Sequence, residues 1–462
     1  MLGAGRLPGA RVSPRDGLMR QGTMRLGAFF HPTGNHVASW LHPGAQLDAG
    51  TNFRHYVQLA QTAERGKFDL MFLADAVAVR GGDLQALRRW PQYMTFFDPL
   101  TLLAGIAAVT RNLGLVATAT TSYNEPYTLA RRLAALDHMS DGRAGWNIVT
   151  SSNEDEALNY GRQTHFGHAE RYARAAEFVD VVRGLMDSWD DDAFTRDRGT
   201  AEYFDPAKLH VLDHKGPHFT VRGPLNMARP PQGHPVFAMA SASGTGLDLA
   251  AEIAEIVFTP LHTLEAAQAF SRDLKARAAA YGRPAEAIKV MPGLNPIVGR
   301  TEAEALEKQA YLASLIHEDV GRSILSTALG GVDLSACNPD RALPDDILDA
   351  GLRNGRSECR VVVAMARGGL TFREVYQRFG SARGQNSVVG TPRQVADHME
   401  AWYRGGAVDG FLIQPSVLPL DLDDFVDNVI PILQERRLFR TAYEGCTLRQ
   451  NLGLEQPASR YR

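Results

Sequence analysis

Apolar residues along this chain come in short, nearly continuous runs separated by longer stretches with helical spacing, and the two patterns alternate from Met24 onward. The runs are MRLGAFF, DLMFLAD, LGLVATAT, AGWNIVTS, PVFAMAS, IVFTP, IKVMPGLNPIVG and GFLIQPS. Each is apolar or small at almost every position, as a strand covered on both faces should be. Between them lie helix patterns with recognisable ends. NFRHYVQLAQTAERG stops at Gly66, DPLTLLAGIAAVT opens on Asp98-Pro99, and PYTLARRLAALDHMS places Leu129, Leu133 and Leu136 on one face. Eight strands with intervening helices predict an α/β fold built as a single (β/α)8 barrel.

The rhythm breaks twice. Residues from about 190 to 233, after the fourth strand, are rich in charge, Gly and Pro, and HFTVRGPL within them reads as a short hairpin strand. Residues 301–386, after the seventh strand, read as helical in TEAEALEKQAYLASLIHEDVG, then as loop-rich, ending in Arg383-Gly384-Gln385-Asn386. The expected organisation is a barrel over 24–454 carrying these two insertions, the second a candidate lid. Residues 1–23, Gly-, Arg- and Pro-rich without a period, read as a disordered arm, and 455–462 as a tail.

Composition narrows the partners. With 49 basic and 52 acidic residues the net charge is −3, which points to neither nucleic acid nor a membrane surface. Cys337, Cys359 and Cys446 stand far apart, so a disulfide framework or zinc site is not expected and a reducing cytoplasm is. No apolar run approaches the ~20 residues of a membrane span. No Gly-x-Gly-x-x-Gly follows a strand, which excludes a Rossmann dinucleotide site, and no Gly-x-Ser-x-Gly elbow offers a nucleophile. His-x-His and His-Glu-x-x-His are absent as well, so no metal ligand is assigned.

Polar residues concentrate where a parallel barrel puts its chemistry. Thr118, Thr120, Tyr123, Asn147 and Ser151 lie in or just after the third and fourth strands, at the C-terminal rim. Asp75 closes the second strand and reads equally as a helix cap or as a carboxylate facing the barrel mouth. Thr118 and Asn147 read equally as satisfied core hydrogen bonds. Ser243-Gly244, between the fifth strand and its helix, is a candidate anion site at a helix N-terminus. Ser151, His168 and Tyr172 would face the same spot, although His168 also fits an ordinary surface helix position. His36, in Thr33-Gly34-Asn35-His36, has the ionisation range for proton transfer, with a surface-loop histidine as the alternative. Phe29, Phe30, Tyr93, Phe96 and Phe97 would line a pocket better suited to an apolar or aromatic molecule than to a polycarboxylate.

Linked motifs carry a family resemblance. SYNEPYTLARR, LDHMSDGR and GWNIVTS follow one another, and GAFFHPTGNHVASWLHP, LAQTAERGKFDLMFLAD, HAERYARAAEFVDVVRGLMDSW, ASASGTGLDLAA and VVGTPRQVADHMEAW stand around them. In this order they resemble the bacterial-luciferase-like flavin-dependent monooxygenases grouped with nitrilotriacetate, dibenzothiophene-sulfone and long-chain-alkane monooxygenases. The resemblance runs from Met24 to Leu454. It implies FMN, used as FMNH2 together with O2 and delivered by a separate NAD(P)H:FMN reductase. It also implies a C4a-(hydro)peroxyflavin that oxygenates a small organic substrate at carbon or sulfur or beside nitrogen, and a homodimer or homotetramer.

The same resemblance puts Asp75, Thr118 and Asn147 at the flavin ring and Ser151, His168, Tyr172, Ser243 and Gly244 around the phosphate. It makes His36 and Tyr123 catalytic and Phe29, Thr33, Arg80, Tyr93 and Gln385 the substrate pocket. Three positions depart from the pattern: Met239 where relatives often carry Gln, Thr33 where alkane-oxidising relatives carry Cys, and Gln385 where several carry His. A barrel that binds flavin without turnover is the alternative, and a metal-dependent barrel hydrolase a weaker one.

Overall fold

All eight apolar runs form strands, and each pairs in parallel with the next. They are Arg25–Phe30, Leu70–Leu73, Gly114–Thr120, Ala144–Val149, Val236–Ala240, Ile256–Phe258, a seventh in two pieces (Lys289–Val290 and Gly293–Val298), and Gly410–Ile413. The computed structural model describes residues 22–461 apart from 80, 92, 242, 243 and 354–356. The break in the seventh strand falls at Met291-Pro292, where proline offers no N–H to the ladder. Its first piece pairs with the sixth strand and its second with the eighth. The eighth strand pairs in turn with the first, Arg25 opposite Gly410, and the circle closes. The Asp409 N–H donates to the Val290 carbonyl at 2.8 Å and the Leu412 N–H to that of Pro292 at 2.9 Å across the same seam.

The helices on the outside begin where capping residues put them. Asn52 accepts from the His55 N–H to start Phe53–Arg65, Asp98 accepts from the Thr101 N–H to start Pro99–Ala107, and Pro126 opens Pro126–Met139. Inside, Leu70, Phe72, Val116, Val236, Ala238, Ile256, Met291 and Leu412 fill the lumen. Its N-terminal end is stoppered by Leu448 and Leu452, from a short helix Leu448–Leu452 whose Thr447 and Gln450 form a reciprocal cap. Gly114 leaves room for this stopper, since a Cβ there would lie 2.4 Å from the Leu448 side chain. Residues beyond it stay attached: Arg229 donates to the Pro457 carbonyl at 2.7 Å, and the Arg460 N–H to Asp187 at 3.2 Å.

Both insertions are present, and one differs from expectation. The first contains an antiparallel pair, His214–Lys215 with Thr220–Val221, as HFTVRGPL suggested. The second is not loop-rich. It folds into helices Glu302–Ser314, Glu318–Ala328, Asp345–Arg353, Ser357–Arg367 and Phe372–Ala382, and ends in a strand, Asn386–Gly390, that pairs in parallel with the seventh barrel strand. The physical reason is a core of its own: Ile324, Leu325, Leu329, Leu348, Val362 and Phe372 bury one another. Each apolar face is only two or three turns long, too short to stand out from the polar segments around it. Among the described residues no helix is long and apolar enough to cross a membrane.

Shortening the stopper tests its weight in the fold. Leu448→Ala is expected to lower the unfolding free energy by about 2–5 kcal/mol in urea titration, because the lumen cannot collapse onto the space left. Leu306→Ala, at a half-exposed helix position, should stay within about 0.5 kcal/mol.

Candidate active site

At the C-terminal mouth the strand ends surround a cavity of about 430 Å³, a size suited to a small ligand. Asp75, Tyr93, Thr118, Ser151, His168 and Tyr172 line it together with Thr120, Glu156 and Arg171. The first six were expected from sequence; the last two named, Glu156 and Arg171, were not. Met239, one of the positions departing from the family pattern, is part of the wall.

Thr118 and Asn147 sit opposite each other in the pairing of the third and fourth strands. Asn147 Nδ2 donates to Thr118 Oγ1 at 2.8 Å, while the buried Asn147 Oδ1 has no partner in the protein. An acceptor left this way in the interior is costly; it belongs to the neighbour of Thr118, which lines the cavity while Asn147 does not. Two residues further along the third strand, Thr120 Oγ1 lies 2.7 Å from Ser151 Oγ. Ser151 adopts φ 55°, an unfavourable backbone for a side chain, and Arg171 donates from Nη1 to its carbonyl.

Two carboxyls face the cavity. Burial holds Asp75 up at about 6, reinforced by Asp98 and Glu156 and opposed by the Ala76 N–H that it accepts at 2.9 Å. Burial also raises Glu156, against the Ser151 hydroxyl, and one of its oxygens is buried without a partner. Glu156 belongs to a short helix, Asp155–Asn159, within an acidic stretch that reads in sequence as solvated. No sequence signal marks it out.

At the opposite end the helix His168–Met186 begins. His168 and Tyr172 are one turn apart with ring centroids at 4.9 Å, and Arg171 lies between them on the same face. That i, i+3, i+4 spacing was available in the sequence and identifies Arg171 as readily as Tyr172. Gly244 is exposed at the start of helix Gly244–Ile253. At Gly246 in the same turn a Cβ would lie 2.9 Å from both Ser241 Oγ and Tyr172 Oη, so two hydroxyls converge where only glycine fits. Ser241 Oγ is buried and without a protein partner. Ser243 and Arg80 lie outside the described residues.

The remaining expected residues stand apart from this cavity. His36 is fully buried: its Nδ1 accepts from the Ala38 N–H at 3.1 Å, and its Nε2 lies 3.3 Å from Ser381 Oγ. Burial, reinforced by the charge of Arg383, pushes the ring down to about 3, so the expected transition near working pH is absent and the imidazole is neutral. Thr33 Oγ1 pairs with Ser39 Oγ at 2.7 Å. Tyr123 stacks on Tyr160 at 4.9 Å and its hydroxyl bonds His165 Nδ1. Phe29 stacks on Phe72 at 4.9 Å in the lumen core. Gln385 faces a different cavity, of about 560 Å³, beside Gln377 and His262. The expected aromatic pocket is filled by its own rings: Phe30, Tyr93, Phe96 and Phe97 enclose only about 20 Å³, less than an organic substrate needs.

Residues 29–409 match the family model described as luciferase-like monooxygenase. The chain belongs to that family. Among relatives of this luciferase-like monooxygenase, N-acetyl-S-(2-succino)cysteine monooxygenase of Bacillus subtilis (strain 168) is 49% identical over 95% of this chain and 98% of that protein. Nitrilotriacetate monooxygenase component A of Aminobacter aminovorans is 46% identical over 94% of this chain and 97% of that protein. A crystal structure of riboflavin lyase with modified FMN and riboflavin superposes with a TM-score of 0.83 at 32% identity, covering 94% of this chain and 96% of that one. The luciferase-like monooxygenases are flavin-dependent enzymes on α/β barrels, and this chain is one of them.

The raised Asp75 makes the site sensitive to pH. A ligand that covers the cavity removes more water from this carboxyl and favours its protonated form. Affinity for oxidised flavin is therefore expected to be highest below pH 6 and to fall as Asp75 ionises through about 6, with Asp75→Asn flattening the profile. A wild-type affinity that does not change between pH 5 and about pH 8 would separate Asp75 from the ligand.

Proposed function

We propose that the protein is the oxygenase component of a two-component system, taking FMNH2 from a separate NAD(P)H:FMN reductase and using O2 to oxygenate a small organic molecule. The observation that carries this reading is the polarity of the 430 Å³ cavity. Thr118 lines it and accepts from Asn147, whose Oδ1 is buried without a protein partner. Arg171, His168 and Tyr172 line it at a helix start. A flavin mononucleotide has the matching ends, a ring edge with an N–H donor and a phosphate dianion. The printed name of one relative, component A, and the modified FMN in a structural neighbour support the same reading. So does the absence of a nicotinamide fingerprint in the sequence.

Bound reduced flavin supplies the activation of oxygen; the chain supplies position and dryness. Asn147 and Thr118 orient the ring edge, and Arg171, His168 and Tyr172 anchor the phosphate. Asp75, held at about 6, would carry or release a proton beside a flavin bound in the cavity. The helical unit 302–382 walls the adjoining cavity through Ile324, Ala328 and Phe379. His36 acts as a neutral group that ties the loop after the first strand to that unit through Ser381. Its replacement by Ala should keep flavin binding and lower product yield, without removing any inflection from the pH profile above about pH 5.

A phosphate-specific measurement tests the reading. Arg171→Met is expected to weaken FMN binding roughly 10- to 100-fold and to leave riboflavin binding nearly unchanged, as loss of one charge-assisted contact requires. Equal losses for both flavins would take Arg171 away from the phosphate. Wild-type protein supplied with FMNH2 that showed no affinity for it would overturn the assignment.

A further inference from the structure

A second cavity, of about 390 Å³, adjoins the first, and Ser152 and Asn153 line both. A molecule held in the second therefore reaches the rim of the first. The walls of the second combine apolar side chains, Val37 from the loop after the first strand, Trp90 from the segment after the second, and Ile324, Ala328 and Phe379 from the helical unit, with the polar Ser152, Asn153 and Thr327. Two charged residues complete it, Glu358, which is exposed, and Arg383.

Arg383 is placed with care. It follows helix Phe372–Ala382 in a left-handed conformation, φ 50°, that a side chain adopts at a cost. The guanidinium lies over the Trp90 ring at 5.5 Å, and Nη1 stands 3.2 Å from His31 Nε2. Its charge is felt as far as the buried His36. Packed against two rings at the chamber wall, the planar fork is oriented before any ligand arrives, which is the arrangement that suits a carboxylate.

We propose that this chamber is the substrate subsite and that it takes an organic acid, whose carboxylate pairs with Arg383 while its apolar part lies against Trp90 and Phe379. The proposal rests on the reading of the first cavity as the flavin site. It replaces the apolar-substrate expectation drawn from Phe30, Tyr93, Phe96 and Phe97, whose rings leave no room.

The test uses protein loaded with FMN and a matched pair of probes, (phenylthio)acetate and its neutral methyl ester, with perturbation of the flavin absorbance as the readout. The acid is expected to bind roughly 10- to 100-fold more tightly than the ester, the margin of a charge-assisted pair. Arg383→Gln should abolish that margin. Thr327→Glu, at an exposed position on the chamber wall, should weaken the acid alone and guards against misfolding of the Arg383 variant. Equal affinity for acid and ester, failure of the acid to bind, or an acid preference that survives both substitutions overturns the proposal. Failure of the wild-type protein to take FMN is seen before any probe is added; it overturns the flavin reading and this one with it.

Discussion

Pairing of the eighth strand with both the first and the seventh is the constraint on which everything else in this molecule rests. Once the ring of parallel strands is closed, every strand end points to one mouth, and residues more than a hundred positions apart in the chain become neighbours. Asp75, Thr118, Ser151 and Met239 meet for that reason alone. The seam is also the least regular part of the ring, since Pro292 divides the seventh strand into a piece that serves the sixth and a piece that serves the eighth.

The mouth is polar in an unfinished way. Glu156 in the cavity wall, Asn147 beside Thr118, and Ser241 near Gly246 each keep a buried oxygen without a protein partner, while Arg143 and Arg440 in the barrel wall are answered by carbonyls and a carboxylate. Arg143 donates to Leu113, Ala107 and Thr110, and Arg440 pairs with the fully buried Asp69. Two of the unanswered groups, on Glu156 and Arg171, belong to residues lining the cavity, where a ligand would complete them.

Much of the frame was legible in the sequence because buried parallel strands cannot alternate and their helices carry caps: Asp98-Pro99, Pro126 and Gly66 mark ends that the structure reproduces. The candidate site was legible where strand order alone decides position, as for Asp75, Thr118 and Ser151. It was not legible where a distant element decides. His36 sits in a loop of surface composition, yet helix Phe372–Ala382 covers it and Ser381 takes its Nε2. Gln385 is next to the strand Asn386–Gly390 and lines the separate cavity of about 560 Å³ instead of the main one. Glu156 looked like one charge among several because only burial distinguishes it. The later helices of the unit, from Asp345 to Ala382, and the stopper Leu448–Leu452 lack the length that makes a period visible.

The core of the helical unit carries an evolutionary consequence. Because Ile324, Leu329, Val362 and Phe372 bury one another, with Val37, Ala38 and Trp90 of the barrel loops joining at the edge, the unit is a contiguous cassette resting on the scaffold. Drift or exchange within it reshapes the chamber roof without disturbing the ring of strands or the polar edge at Thr118 and Asn147. A lineage can thus revise that chamber within one uninterrupted stretch of gene, while the ring of strands is inherited unchanged.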